Sequence, residues 1–271
     1  MLRDITLGQY YQTESLIHRL DPRVKLISTF AYIVSLFLFQ NLTLYLIAAV
    51  SLMIVIKLSK VPVKFMVRGL RPVVMILLFT VICNMIFTKG TPLFSFWKIT
   101  ITVEGLKLSL YMVIRFVMLI VGSSVMTLTT TPNQLTDGLE SLLNPLNKVK
   151  VPVHEIAMMM SIALRFIPIL MEETDKIMKA QLARGADFES KNMVHRVKAM
   201  LPLLIPLFVS AIRRANDLAM AMEARCYRGG AGRTKMKPLI YKITDKRALL
   251  LVFLYMVVII VGGKLGEGLL L

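Results

Sequence analysis

The chain has 271 residues, 56% of them hydrophobic, which exceeds the apolar share of an ordinary soluble domain. Its formal net charge is +17, from 33 Lys and Arg against 16 Asp and Glu, and the cations gather between apolar blocks. That is the positive-inside pattern of a membrane protein with short cytoplasmic loops, and it argues against a nucleic-acid partner.

The first residues, Met1 to Thr6, are mixed and polar, so no cleavable signal peptide is visible and the first membrane helix serves as its own insertion signal. Residues 1–23 are expected to be a cytoplasmic N-terminal segment. The first apolar block, Leu26 to Phe39, is flanked by Arg19, Arg23 and Lys25, and the uncharged Gln40-Asn41 turn separates it from a second block, Leu42 to Ile56. Lys57, Lys60, Lys64, Arg68 and Arg71 follow with no acidic residue between them. They mark a cytoplasmic loop, which puts the Gln40-Asn41 turn outside and the N-terminus inside. A third block runs from Pro72 to Phe87 and a fourth from Leu106 to Leu128, separated by an outer loop, Thr88 to Thr102, with Trp97 at the interface. Residues 24–130 thus read as four membrane helices. A basic cytoplasmic linker, 231–247, precedes a final membrane helix within 248–271, whose apolar block is Ala248 to Val261, so the C-terminus is expected outside. The fold class is an all-α polytopic membrane protein with about five transmembrane helices.

Residues 131–230 differ. A helix opens at Thr131-Pro132, where proline is tolerated in the first turn, and Pro145 ends it. A second helix runs from Val153 towards Arg184. It carries Ile167, Met171, Thr174, Met178 and Leu182 on one stripe, with Glu172, Lys176 and Lys179 on the other side. Glu172 with Lys176 and Asp175 with Lys179 stand at the favourable i,i+4 spacing, worth about 0.3–0.5 kcal/mol each. A third helix runs from Lys191 to Arg225, its apolar start broken by Pro202 and Pro206. Ala211, Ala215 and Ala219 recur every fourth residue and offer a small-residue face where the two long helices are expected to cross. If both helices instead crossed the membrane, the charged 172–198 segment would lie outside.

No catalytic constellation is present in the sequence. Gly262-Gly263-Lys264-Leu265 lacks the upstream glycine and the hydroxyl residue of a nucleotide-binding loop, so no ATP hydrolysis is expected of this chain. His18, His154 and His195 have no partner at metal-ligand spacing, and Cys83 and Cys226 form no CxxC site. No paired carboxylate lies in a spanning block, which weighs against the alternative function, an independent secondary transporter of a small solute. Arg115, near the middle of the fourth block, costs about +2.5–3.5 kcal/mol to insert and so needs a partner. That partner is either another subunit or the substrate path, or a carbonyl or hydroxyl on a neighbouring helix.

Two places stand out. Ala183-Arg184-Gly185 closes the second helix and Ala224-Arg225-Cys226 closes the third. One such arginine would stabilise the helix dipole by about 0.3–1 kcal/mol and need no other role. Two in one segment suggest a doubled docking device, because guanidinium bonds acidic or carbonyl-lined grooves in bidentate fashion.

These Ala-Arg-small motifs resemble the coupling motifs of the EcfT/CbiQ family, the T-components of energy-coupling-factor transporters. Ser15 to Lys25, Thr129 to Leu139 and Ala163 to Pro168 are similar to other family segments, and Cys226 stands where glycine is commonest. The resemblance implies membrane helices plus long crossed cytoplasmic coupling helices in the cell membrane of a prokaryote. It implies two ATP-binding-cassette ATPase partners, EcfA and EcfA′, whose grooves take the tips bearing Arg184 and Arg225. It further implies a membrane-embedded substrate-binding S-component for a vitamin, micronutrient or metal ion. ATP-Mg would sit on the ATPases, and no cofactor on this chain.

Overall fold

The computed structural model of the chain describes residues 10–38, 41–96, 99–186, 193–230 and 238–268, with Thr234 and Met236. It divides into two units, one of residues 8–139 with 239–271 and one of residues 1–7 with 140–238.

The first unit is a helical bundle. It holds α1 (Pro22–Leu38), α2 (Leu42–Ser59), the short α3 (Val63–Arg68), α4 (Arg71–Phe87), α5 (Val103–Thr129), the first two turns of α6 (Pro132–Leu143) and α9 (Ile243–Gly268). α1 starts where Asp21 accepts the Arg23 backbone N–H and Pro22 takes the first helical position. α5 is capped by Thr102, whose hydroxyl accepts the Gly105 N–H. Between α4 and α5 the chain forms an antiparallel hairpin of β1 (Pro92–Phe96) and β2 (Ile99–Thr102), so the expected outer loop is a small ribbon. Trp97, assigned to the interface from sequence, lies outside the described residues.

α5 is the axis of packing. Near its C-terminal end Val121, Val125 and Leu128 bury Val61 and Met66, and further back Met118 packs with Leu36, Tyr45 and Ala48. The outward side chains are apolar as well, among them Phe30, Leu46, Phe79, Phe87, Leu250 and Phe253. A bundle that is apolar on both sides has hydrocarbon as its solvent. Among the described residues, four helices are long and apolar enough to cross a membrane, namely α2, α5, α9 and, in the second unit, α7 (Val153–Ala183), with α4 a shorter apolar helix of 17 residues. The all-α polytopic class stands. The set of candidate spans differs from the expected five, because α1 and α4 each stop at 17 residues while α7 is more apolar than its charged second half implies.

In the second unit Asn144–Val149 continues α6 as a 3-10 turn before α7. α8 (Met193–Ala224) runs unbroken through Pro202 and Pro206, which corrects the expectation of an interrupted start. On α7 the stripe Ile167, Met171, Thr174 and Met178 is half-buried, as its spacing predicts, while Leu182 is exposed. From Met200 onward the covered positions on α8 are Leu203, Leu207, Ser210, Arg214, Leu218 and Met222. Ala211, Ala215 and Ala219 are all exposed, so this alanine row does not form the seam with α7. The seam is polar at its centre: Glu173 accepts from Ser210 Oγ at 2.5 Å and from Arg214 Nη2 at 2.8 Å. Charge on α7 is thus matched across the helix pair, through Glu173, while Glu172, Lys176 and Lys179 stay exposed.

Candidate functional site

The two long helices end in the same way, bond for bond. In α7 the Ala186 N–H donates to the Gln181 carbonyl and the Gly185 N–H to the Leu182 carbonyl, both at 3.0 Å. In α8 the Tyr227 N–H donates to the Met222 carbonyl at 3.0 Å and the Cys226 N–H to the Glu223 carbonyl at 2.8 Å. Both are Schellman terminations, with the arginine as C-cap and the following residue left-handed. Gly185 adopts φ +87° without strain, whereas Cys226 is held at φ +55°, a region costly for a side chain with a Cβ. The sequence departure at Cys226 therefore carries a backbone cost, not only a change of size.

Ala183, Arg184, Gly185, Ala224, Arg225 and Cys226 are all exposed. Neither Arg184 nor Arg225 has an ion pair or hydrogen-bonded side-chain partner among the described residues. Each cap thus presents a guanidinium with five donors to whatever lies beyond the helix.

The second cap has a fixed tail. A Cβ at Gly230 would lie 2.5 Å from His154 Cδ2, so the backbone rests directly on the imidazole in the first turn of α7. His154 Nδ1 is paired with Glu140 at 2.9 Å. Because α7 has 31 residues and a helix rises about 1.5 Å per residue, the Arg184 cap is tens of ångströms from the Arg225 cap. The two guanidiniums address separate places.

Arg115 stands in α5, where its Nε donates to the Tyr45 hydroxyl on α2 at 2.9 Å. Its guanidinium also lies 5.3 Å from the Phe37 ring centroid. Of the partners open to it from sequence, the structure supplies a hydroxyl on a neighbouring helix.

A polar cluster, whose Arg23 and Lys25 the sequence marks only as flanking cations and as part of a resemblance, occupies one end of the bundle. Arg23 forks onto Asp21 at 3.1 and 3.0 Å, donates to the Leu239 carbonyl at 2.9 Å and lies 3.9 Å over the Tyr241 ring. Asp245, almost fully buried, accepts the Asp21 N–H through one oxygen and the Lys242 N–H through the other, the second being half of a capping box for α9. Lys25 is buried too and donates to the carbonyls of His18 and Thr129. The start of α1, the end of α5 and the start of α9 are thereby tied together. His18 Nε2 donates to the Tyr11 carbonyl at 3.0 Å, which leaves Nδ1 to accept from Ser15 Oγ at 2.6 Å. Burial holds this imidazole below the ordinary histidine pKa, and the Lys25 charge acts in the same direction. The legible signal was the spacing Asp21-Pro22-Arg23-Val24-Lys25, whose polar partners at 239–245 are distant in sequence.

The geometry defines a helical membrane protein with no assembled reaction centre among the described residues and two solvent-facing cationic helix caps. Residues 13–237 match the family model described as CbiQ, cobalt transport protein, and the chain belongs to that family. It is similar to curated proteins named energy-coupling factor transporter transmembrane protein EcfT. The Thermosediminibacter oceani protein is 56% identical over 238 residues, covering 88% of this chain and 90% of the relative. The Bacillus subtilis protein is 49% identical over 246 residues, 90% and 93% of the two chains. The Lactococcus lactis subsp. cremoris protein is 44% identical over 266 residues, 98% and 100%.

Proposed function

We propose that this chain is the transmembrane coupling subunit of an energy-coupling-factor importer. In this reading Arg184 and Arg225 seat in grooves on two ATP-binding-cassette ATPases, which hold the ATP-Mg. α7 and α8 carry ATP-driven displacement to a membrane-embedded S-component, which brings in a vitamin, micronutrient or metal ion. The N-terminus and both caps then lie on the cytoplasmic side and the C-terminus outside.

The observation that carries the reading is the duplicated cap. Two helices end in the same hydrogen bonds, each setting at the tip one arginine that has no side-chain partner among the described residues. A dipole-stabilising arginine has no need of a matched backbone geometry at a second site. Separate placement of the caps suits two docking partners rather than one. The Glu173–Arg214–Ser210 seam joins α7 to α8, which supports a role for the pair as one transmitting element.

The test is co-purification of the ATPases with Arg184→Glu, Arg225→Glu and the double variant. Truncating one partner of a buried charged hydrogen bond costs about 2–5 kcal/mol, so each single variant should weaken recovery and the double should abolish it. ATPases recovered at wild-type level with the double variant would remove the reading. Ion-driven flux by the reconstituted chain alone would point to a secondary transporter instead.

A further inference from the structure

The segment from the last turn of α2 to the start of α4 carries five cations in fifteen residues: Lys57, Lys60, Lys64, Arg68 and Arg71. All five are exposed, and none has an ion pair among the described residues. The loop is not a loose chain. Ser59 and Val61 are buried, Lys60 closes α2 in a left-handed conformation, and Met66 on α3 is fully buried against α5. The cations are therefore held in place by packing that does not involve their charges.

Successive helix residues turn by about 100°, so Met66 anchors one side of α3 and Lys64 with Arg68 form a stripe on the opposite side. Val63 and Val67 flank that stripe on one edge and Phe65 on the other, and all three are exposed. Arg68 lies 5.6 Å from the Phe65 ring, which keeps its charged end against an apolar surface. α2 and α4 have 18 and 17 residues, about 26–27 Å each, slightly under the hydrocarbon thickness. Helices of that length end at the edge of the hydrocarbon, where long cationic side chains extend to the headgroups, so Lys57 in the last turn of α2 and Arg71 at the start of α4 are placed to reach them, with α3 between the two.

We propose that the Lys57–Arg71 segment is a binding surface for anionic phospholipid headgroups. Charge complementarity favours an anion. The exposed apolar edges of α3 favour one attached to acyl chains over a soluble phosphate, since Val63, Val67 and Phe65 gain nothing from a free ion. Each cation near an anionic leaflet adds about fivefold to the preference, so five fixed in one segment select strongly for charged lipid.

The test uses the full chain, equilibrated in detergent with equal phosphatidylglycerol and phosphatidylcholine, then purified and weighed by native mass spectrometry with its retained lipid. Wild type should retain phosphatidylglycerol over phosphatidylcholine by about tenfold or more. Lys60→Gln/Lys64→Gln/Arg68→Gln should bring that ratio down at least tenfold, while Lys60→Arg/Lys64→Arg preserves it. The charge-neutralised variant is first shown to keep the wild-type helical circular dichroism and melting temperature. If it unfolds, the same comparison is made with the single variants Lys64→Gln and Arg68→Gln, each expected to lower the ratio several-fold. Equal retention of the two lipids by wild type would overturn the proposal and leave the surface to an acidic protein partner. So would undiminished phosphatidylglycerol on a folded charge-neutralised variant, which would assign the lipid to another part of the bundle.

Discussion

Arg23 and Arg184 are the same side chain in opposite circumstances. Arg23 is largely buried, forked onto Asp21, bonded to the Leu239 carbonyl and laid over Tyr241. Arg184 caps a helix end, exposed, with no side-chain partner among the described residues. The first arginine spends its donors within the chain and the second keeps them. A guanidinium satisfied at home is part of the architecture, and one left open at a precisely built terminus is available to something else.

The sharpest way to break that contrast is at Asp245, which holds the bundle-end cluster together from the α9 side. Asp245→Ala removes the acceptor of two backbone N–H groups, Asp21 and Lys242, in a site almost closed to solvent. A loss of about 3 kcal/mol is expected, seen as a lower melting temperature of the purified chain. Asp245→Asn keeps one acceptor and should lose less. If Asp245→Ala melts as wild type does, the cluster is not held from the α9 side and its polar bonds contribute nothing measurable to stability.

Within the second unit, Gly230 gives a smaller effect. Gly230→Ala drives a methyl into the His154 ring and should destabilise the α7–α8 unit by about 1–3 kcal/mol. His154→Ala opens the space, so the double variant should recover part of the loss beyond simple additivity. Strict additivity in proteolysis of the unit would mean that the tail of the second cap does not rest on α7.

Cys226→Gly should act in the other direction. Relieving a left-handed Cβ returns about 1–2 kcal/mol, against roughly 0.5–1 kcal/mol lost to glycine's freedom, so a gain of up to about 1.5 kcal/mol is expected. Arg184→Ala should leave the chain's own stability within about 0.5 kcal/mol, since nothing inside depends on it. A larger loss would show that the cap arginine is structural after all.

Much of this contrast was legible in the sequence, and the limits are physical. Apolar runs such as Leu42 to Ile56 and Leu106 to Leu128 give helices directly, because length and composition decide them. The two helix ends could be read because Gly185 and the Gly229-Gly230 pair are local signals of termination. The seam between α7 and α8 could not. Ala211, Ala215 and Ala219 form as regular a stripe as Leu203, Leu207, Ser210 and Arg214, and only the partner helix decides between them. Proline at 202 and 206 predicts breaks, yet each removes only one backbone donor and α8 continues past both. The Asp21–Asp245 bond joins residues that no local pattern relates.

The finest comparison concerns how far the satisfied region extends beyond Arg23. His18 accepts and donates within the N-terminal segment while Lys25 reaches back to its carbonyl, so the cluster should include the imidazole. Its folded pKa lies below 6.5, chiefly through burial and further through Lys25, so the folded state resists protonation more than the unfolded state does. Below 6.5 the unfolded chain binds the extra proton first, and stability falls as the pH drops through that window, while above it the contribution is fully present. His18→Gln, which can still donate and accept, should flatten this dependence. The direct measurement is a nitrogen-15 titration of the histidines in the purified chain. A His18 midpoint under 6.5 places the ring inside the bonded cluster, and a midpoint at or above 6.5 would mark the cluster's edge at Lys25.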